Sequence, residues 1–207
     1  LAEHYGDPYD WLQGDQWDTI MNYDAFMEPV TWFLTGMEKH SDRQRLDLCG
    51  NAESFVGCMK GQMMYMYTPS LMTSMNEISN HDHSRFLTRT NRMVGRVSHL
   101  GYESASKYVD EAVMRQAVAM QMTWIGAPTV YYGDEAGVQG GSDPFNRSFF
   151  PWGKEDEELV EWYKHLGAIR KGLDCLKEGT FIPYSAMLSC VAYIRKSEND
   201  KIFVIAN

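Results

Sequence analysis

No stretch of this 207-residue chain approaches the ~20 consecutive apolar residues of a membrane-spanning helix. Basic residues are few: 19 Lys and Arg stand against 28 Asp and Glu, a net charge of −9. A nucleic-acid partner wants a basic stripe, so that class is excluded, and no membrane partner is expected either. The four cysteines, Cys49, Cys58, Cys175 and Cys190, show neither CxxC nor Cys/His spacing. That removes the usual zinc motifs and leaves buried free thiols as the default. No GxGxxG or GxxxxGK[ST] follows a strand, so a nucleotide fold has no support. Internal repeats, low-complexity tracts and a signal peptide are missing too. Nothing in these patterns asks for a cofactor or a metal.

The composition that remains is 44% hydrophobic and 13% aromatic, enough to bury the core of one or two domains. Four segments read as strands: residues 1–4, 17–23, 71–79 and 129–132. Helical patterns fall between them, over 24–38 with Asp24 as cap and Pro29 in the first turns, and over 53–67, closed by Pro69. Residues 87–103 read as an irregular connection with short helical pieces. The strongest helix spans 105–124, where Val109, Val113, Ala117, Met120 and Trp124 recur at core spacing. A further amphipathic helix spans 155–171, with Glu155 to Glu158 at the end where the helix dipole favours anions. Methionines crowd residues 59–75, where core filling explains them better than metal binding. From Gly179 the pattern becomes β-rich, with runs over 188–195 and 201–206 separated by Glu198-Asn199-Asp200, a hairpin signal. Strand and helix alternating four times, then antiparallel strands, is an α/β architecture with a boundary near residue 175. Both ends read as cut within a fold, so the chain is expected to be a piece of a longer protein.

Chemistry concentrates at the strand ends. Thr129-Val130-Tyr131-Tyr132 stops at Gly133-Asp134-Glu135, and a polar loop follows through Asp143-Pro144-Phe145-Asn146-Arg147. Met75 to Ser79 ends in Asn80-His81-Asp82, and Glu3 stands at the first strand end. Carboxylates at the C-terminal mouths of parallel strands are how a barrel assembles one acidic site from distant residues. Glycoside hydrolysis needs such a pair, ~5–5.5 Å apart in retaining enzymes, one as acid/base and one as nucleophile. Each residue has a plainer reading. His81 can be a structural hydrogen bonder, Glu3 a solvated surface acid, and Asp134-Glu135 a strand end. Asp82 can pair with Arg85, and Tyr131-Tyr132 can fill core.

Three motifs in order tip the balance. Asn80-His81-Asp82 resembles the fourth signature region of the α-amylase family. Ala2-Glu3, with Trp11 to Asp18 and Met21-Asn22-Tyr23, resembles its third, closest to the cyclomaltodextrinase, neopullulanase and maltogenic amylase branch. Gly126 to Glu135, with Asp143-Pro144 and Asn146-Arg147, resembles the segment through the family's eighth strand. The resemblance implies half of a (β/α)8 TIM barrel, strands five to eight, over residues 1–175. Residues 176–207 would start a small antiparallel β domain. It implies catalytic roles for Glu3, the general acid/base, and Asp82, a carboxylate that binds sugar hydroxyls. It implies substrate-binding roles for His81, Asp143 and Arg147, and for Tyr5, which stands where the branch has tryptophan and would stack on the leaving sugar.

The family's nucleophile aspartate, and its partner arginine, have no counterpart in these residues. The implied activity is retaining hydrolysis of α-1,4 and α-1,6 bonds in starch, pullulan or cyclodextrin-type glucans, with the chain alone inert. The family's calcium ligands would lie largely outside this segment. The alternative is a non-catalytic, amylase-like module for sugar binding or assembly. Exposed half-barrel edges are expected to favour a homo-oligomer.

Overall fold

A computed structural model describes residues 1–207, the Ser185 side chain excepted. Four parallel strand segments lie side by side in chain order. Ala2 bridges Ile20, Met21 bridges Met75, and β1 (Met75–Asn76) pairs with β2 (Ala127–Pro128). The first three are far shorter than their apolar runs predict, and the fourth lies at 127–128, ahead of the expected 129–132, because side chains take over the pairing. Asn22 Nδ2 donates to Asn76 Oδ1 at 2.7 Å, Asn76 Nδ2 to the Ile125 carbonyl at 2.7 Å, and Gln121 Nε2 to the Asn76 and Thr129 carbonyls at 3.0 and 2.9 Å. These buried amides meet the backbone's obligation to find partners where the ladder stops. Gly126 is required here: its φ is +119°, and a Cβ would fall 2.5 Å from Asn76 Nδ2.

Helices α1 (Glu28–Thr35), α2 (Ala52–Met63), α3 (Thr68–Thr73), α4 (Phe86–Arg89), α5 (Val97–Leu100), α6 (Glu111–Thr123), α7 (Glu157–Gly172) and α8 (Asp174–Lys177) connect and cover the strands. Local chemistry explains their ends. Asn51, Asp110 and Asp156 cap α2, α6 and α7 by accepting backbone N–H bonds. The expected cap Asp24 does something else. Its Oδ2 accepts the Gly6 N–H at 2.7 Å, and a π-helical turn, Tyr23–Met27, leads into α1 instead. Pro69 does not close the preceding helix. It opens α3, where a ring without an N–H is tolerated, so residues 71–73 are helical rather than extended. The core is contiguous under α1, α2, α6 and α7, built on Phe26, Phe55, Met114, Trp124 and Leu159.

The C-terminal run forms one antiparallel sheet, β3 (Thr180–Met187), β4 (Cys190–Lys196) and β5 (Lys201–Ala206), in that order. The sequence pattern does not mark β3 as a strand; Pro183 interrupts its run, and it carries a register shift between Pro183 and Ser185. Phe181 and Tyr193 meet Trp124 at ring-centroid distances of 4.4 and 4.8 Å, joining the sheet to the main core. Two arginines reinforce the join at the end of α6. Arg170 donates to the carbonyls of Met122 and Gly126, and buried Arg195 to those of Thr123, Trp124 and Gly179. Cations there also match the negative end of the helix.

Candidate active site

The strand tips bring three of the expected residues together. His81 Nε2 stands 3.6 Å from Glu3 Oε1 and 3.5 Å from Asp82 Oδ1. All three are partly open to solvent, with side-chain exposures of 39–42%, so a soluble ligand can reach them. Glu3 follows the first strand segment directly, and Asp82 lies in the loop beyond β1. They are 79 positions apart in sequence and share one imidazole.

Buried groups hold this cluster from below. Tyr23 OH donates to Glu3 Oε1 at 2.8 Å and receives Asn80 Nδ2 at 3.2 Å. The other Asn80 amide hydrogen goes to Glu77 Oε1 at 2.9 Å. Asn80 Oδ1 accepts the N–H groups of Asp82 and His83 at 3.0 and 2.9 Å, which fixes the loop that carries Asp82. Asn146 Nδ2 adds bonds to the Asn80 and His83 carbonyls, and the Asp143 N–H reaches the Asp82 carbonyl. The loop after β2 is thereby stitched to the Asp82 loop. Asp143 and Arg147 pair with each other at 2.5 Å and remain about half exposed.

Tyr5 lies stacked on Tyr23, with centroids 4.4 Å apart, and shares a 3.0 Å hydrogen bond with His83 Nε2. The Lys39 ammonium, paired with Glu28, sits 4.2 Å from the same ring centroid. Burial pushes the Tyr5 phenol up to about 12. Burial likewise pushes His83 down to about 2, so this ring is neutral and works as a hydrogen bonder.

The remaining acids take structural parts. Asp134 is buried and pairs with Arg85 at 2.9 Å. Arg85 therefore has no pairing with Asp82, the partner three residues away that the sequence suggests. Glu135 closes its own turn by accepting the Gly133 N–H at 2.8 Å. The Arg85 guanidinium lies 4.1 Å from the Tyr131 ring centroid and 4.9 Å from that of Tyr132, so these rings serve the ion pair.

Glu3, His81 and Asp82 are also the one group of His and carboxylates, among the described residues, whose ligand atoms lie within 4.8 Å of one another. Calcium takes six to eight oxygens, so an imidazole with two carboxylates does not fit it.

Sequence reasoning missed Glu77, which is 2% exposed at the end of an apolar run. Its signal was an acid among Met75, Asn76 and Ile78, without any hint of what it meets. Burial pushes its carboxyl up to about 8 from 4.5, with Glu3 and Asp134 raising it further and Asn80 and Arg89 opposing. Between those values the folded chain holds a proton that the unfolded chain has released, so stability falls as pH rises through that window. The melting temperature is expected to drop from pH 5 to pH 8, and Glu77→Gln, which cannot ionise, to flatten that slope. Parallel melting curves for both proteins across this range would rule the assignment out.

Comparison with known proteins decides the ancestry. The family model "Alpha amylase, catalytic domain" matches residues 2–156. This chain belongs to the alpha-amylase family. It is 31% identical over 213 residues to an amylopullulanase of Thermoanaerobacterium thermosulfurigenes, covering 97% of this chain and 11% of that protein. It is 29% identical to a cyclomaltodextrinase of a Bacillus species, covering all of this chain and 33% of that one. A solved cyclomaltodextrinase superimposes with a TM-score of 0.79 at 28% identity, over 98% of this chain and 30% of the other. The chain thus spans a third or less of these relatives. The alpha-amylase barrel fold expected from the three motifs is the fold of its neighbours, and the four parallel segments are its local expression.

Proposed function

We propose that this chain supplies the proton-transfer side of a retaining α-glucan hydrolase, as strands five to eight of the family's barrel. The observation that carries this reading is the convergence of Glu3 and Asp82 on one imidazole at the mouth of the parallel strands. Both Tyr23 and His81 approach Glu3 on Oε1, which leaves Oε2 to exchange the proton. Glu3 gives that proton to the glycosidic oxygen as the C–O bond breaks, and later takes one from the attacking water. Asp82 and His81 hold hydroxyls of the sugar whose bond is cut, and Asp143 and Arg147 grip the same unit from the loop after β2. Tyr5 meets the leaving sugar with its rim, since Tyr23 and Lys39 already cover the ring.

The relatives' names, amylopullulanase and cyclomaltodextrinase, support α-1,4 and α-1,6 linked glucans as the substrate class. The covalent intermediate needs an aspartate nucleophile; the family's nucleophile has no counterpart in these residues, and Asp82, the carboxylate that faces Glu3, is taken up by the sugar hydroxyls. The 207-residue chain is therefore expected to release no reducing sugar from maltooligosaccharides or pullulan. Sustained turnover by the purified chain would show that the nucleophile lies within it. A longer reading frame with Arg-x-Asp closing a preceding strand supports the enzyme; a frame without it leaves a sugar-binding module.

A further inference from the structure

The proton-transfer reading uses Glu3, and Glu3 is held by Tyr23. What holds Tyr23 lies deeper. The Asn80 side chain makes four hydrogen bonds, the full capacity of an amide. Two accept from the Asp82 loop, one donates to Tyr23 OH, and the last donates to Glu77. Without an acceptor at Glu77, one buried Asn80 N–H has nowhere to go, and the amide is free to turn. A turn would release both the Tyr23 hydroxyl and the loop that bears Asp82.

We propose that Glu77 is a positioning residue for the Glu3 carboxylate, acting through Asn80 and Tyr23 as one buried hydrogen-bonded chain. The proposal rests on Glu3 being the proton-transferring group only for its functional meaning; the chain of bonds stands by geometry. Its three links measure 2.9, 3.2 and 2.8 Å, and Glu77 and Asn80 are each 2% exposed. An apolar residue would fill the same space at the end of β1. An acid there supplies a fixed acceptor oxygen, and burial keeps it protonated at neutral pH, so the acceptor comes without a buried negative charge. The charges of Glu3 and Asp134 hold the Glu77 proton on more firmly, the Arg89 cation opposes them, and Tyr23 feels the Glu77 charge in turn.

The test reads the Glu3 carboxyl carbon by NMR at pH 7, in the 207-residue chain labelled with [13C]glutamate and assigned with Glu3→Gln. Tyr23→Phe removes the last link and sets the size of the shift. Glu77→Leu is expected to move the Glu3 signal at least half as far in the same direction. Glu77→Gln, which keeps an acceptor oxygen, is expected to leave it in place. A Glu3 signal unmoved by Glu77→Leu or by Tyr23→Phe overturns the proposal, and so does one moved equally by Glu77→Gln. If Glu77→Leu does not fold, the unsubstituted chain decides. Its Asn80 side-chain amide signals should shift with a midpoint near pH 8 as Glu77 ionises, and flat signals there overturn the proposal. Turnover enters none of these readouts, so the result is independent of whether Glu3 proves to be the catalytic acid.

Discussion

Replacing Glu3 by glutamine, in a protein that joins this chain to a nucleophile-bearing strand, is expected to lower kcat on maltotriose by about 10²–10⁴. Glutamine keeps the shape and still offers Tyr23 an acceptor at the position of Oε1, so the site should stay assembled. What is lost is the proton. Each tenfold corresponds to about 1.4 kcal/mol of barrel-mouth chemistry, so roughly 3–5 kcal/mol of barrier is at stake. The choice of substrate separates this from simple damage. A 4-nitrophenyl glycoside leaves without needing a proton, so its first step should suffer far less. Equal losses on both substrates, measured as initial rates, would remove Glu3 from the acid role.

The second large effect concerns stability. Arg85→Met deletes the partner of buried Asp134 together with donors to the Asn146 and Tyr132 carbonyls. Removing one side of a buried pair costs about 3–5 kcal/mol, because the other charge is left uncompensated. For a chain of this length about 2–4 °C accompanies each kcal/mol, so the melting temperature should fall by roughly 6–20 °C. Arg85→Met with Asp134→Asn should recover part of that loss, since no buried charge is stranded. A single substitution that melts within about 2 °C of the parent would mean the pair contributes no net stability.

Much of this molecule is legible in its residues. The strand tips at Glu3, Asp82 and the Gly133 turn are marked by an abrupt change from apolar to acidic and Gly-rich sequence. Their convergence could be read only from three motifs together, since each acid alone has a plainer explanation. Strand extents were not legible, because Asn22, Asn76 and Gln121 do the work of a ladder with side chains. Leu71 and Met72 are as apolar as a strand, and only Pro69 at the first turn of α3 marks them as helical. Long-range pairing was the least visible. Arg85 has an acid three residues back, yet its partner is 49 positions ahead. Glu77 goes unread among its apolar neighbours, and nothing local names Asn80 as its partner.

The two arginines at the end of α6 bear on how this piece can be recombined. Arg170 comes from α7 and Arg195 from the C-terminal sheet, and together they satisfy five carbonyls around residues 122–126 and 179. The sheet is thus not an interchangeable appendage. A chimera that grafts another family member's sheet after α8 would strip Thr123 and Trp124 of their donor, just upstream of Gly126 and β2. Crossovers in a recombination library should therefore survive best when α6 and β4 are inherited from the same parent.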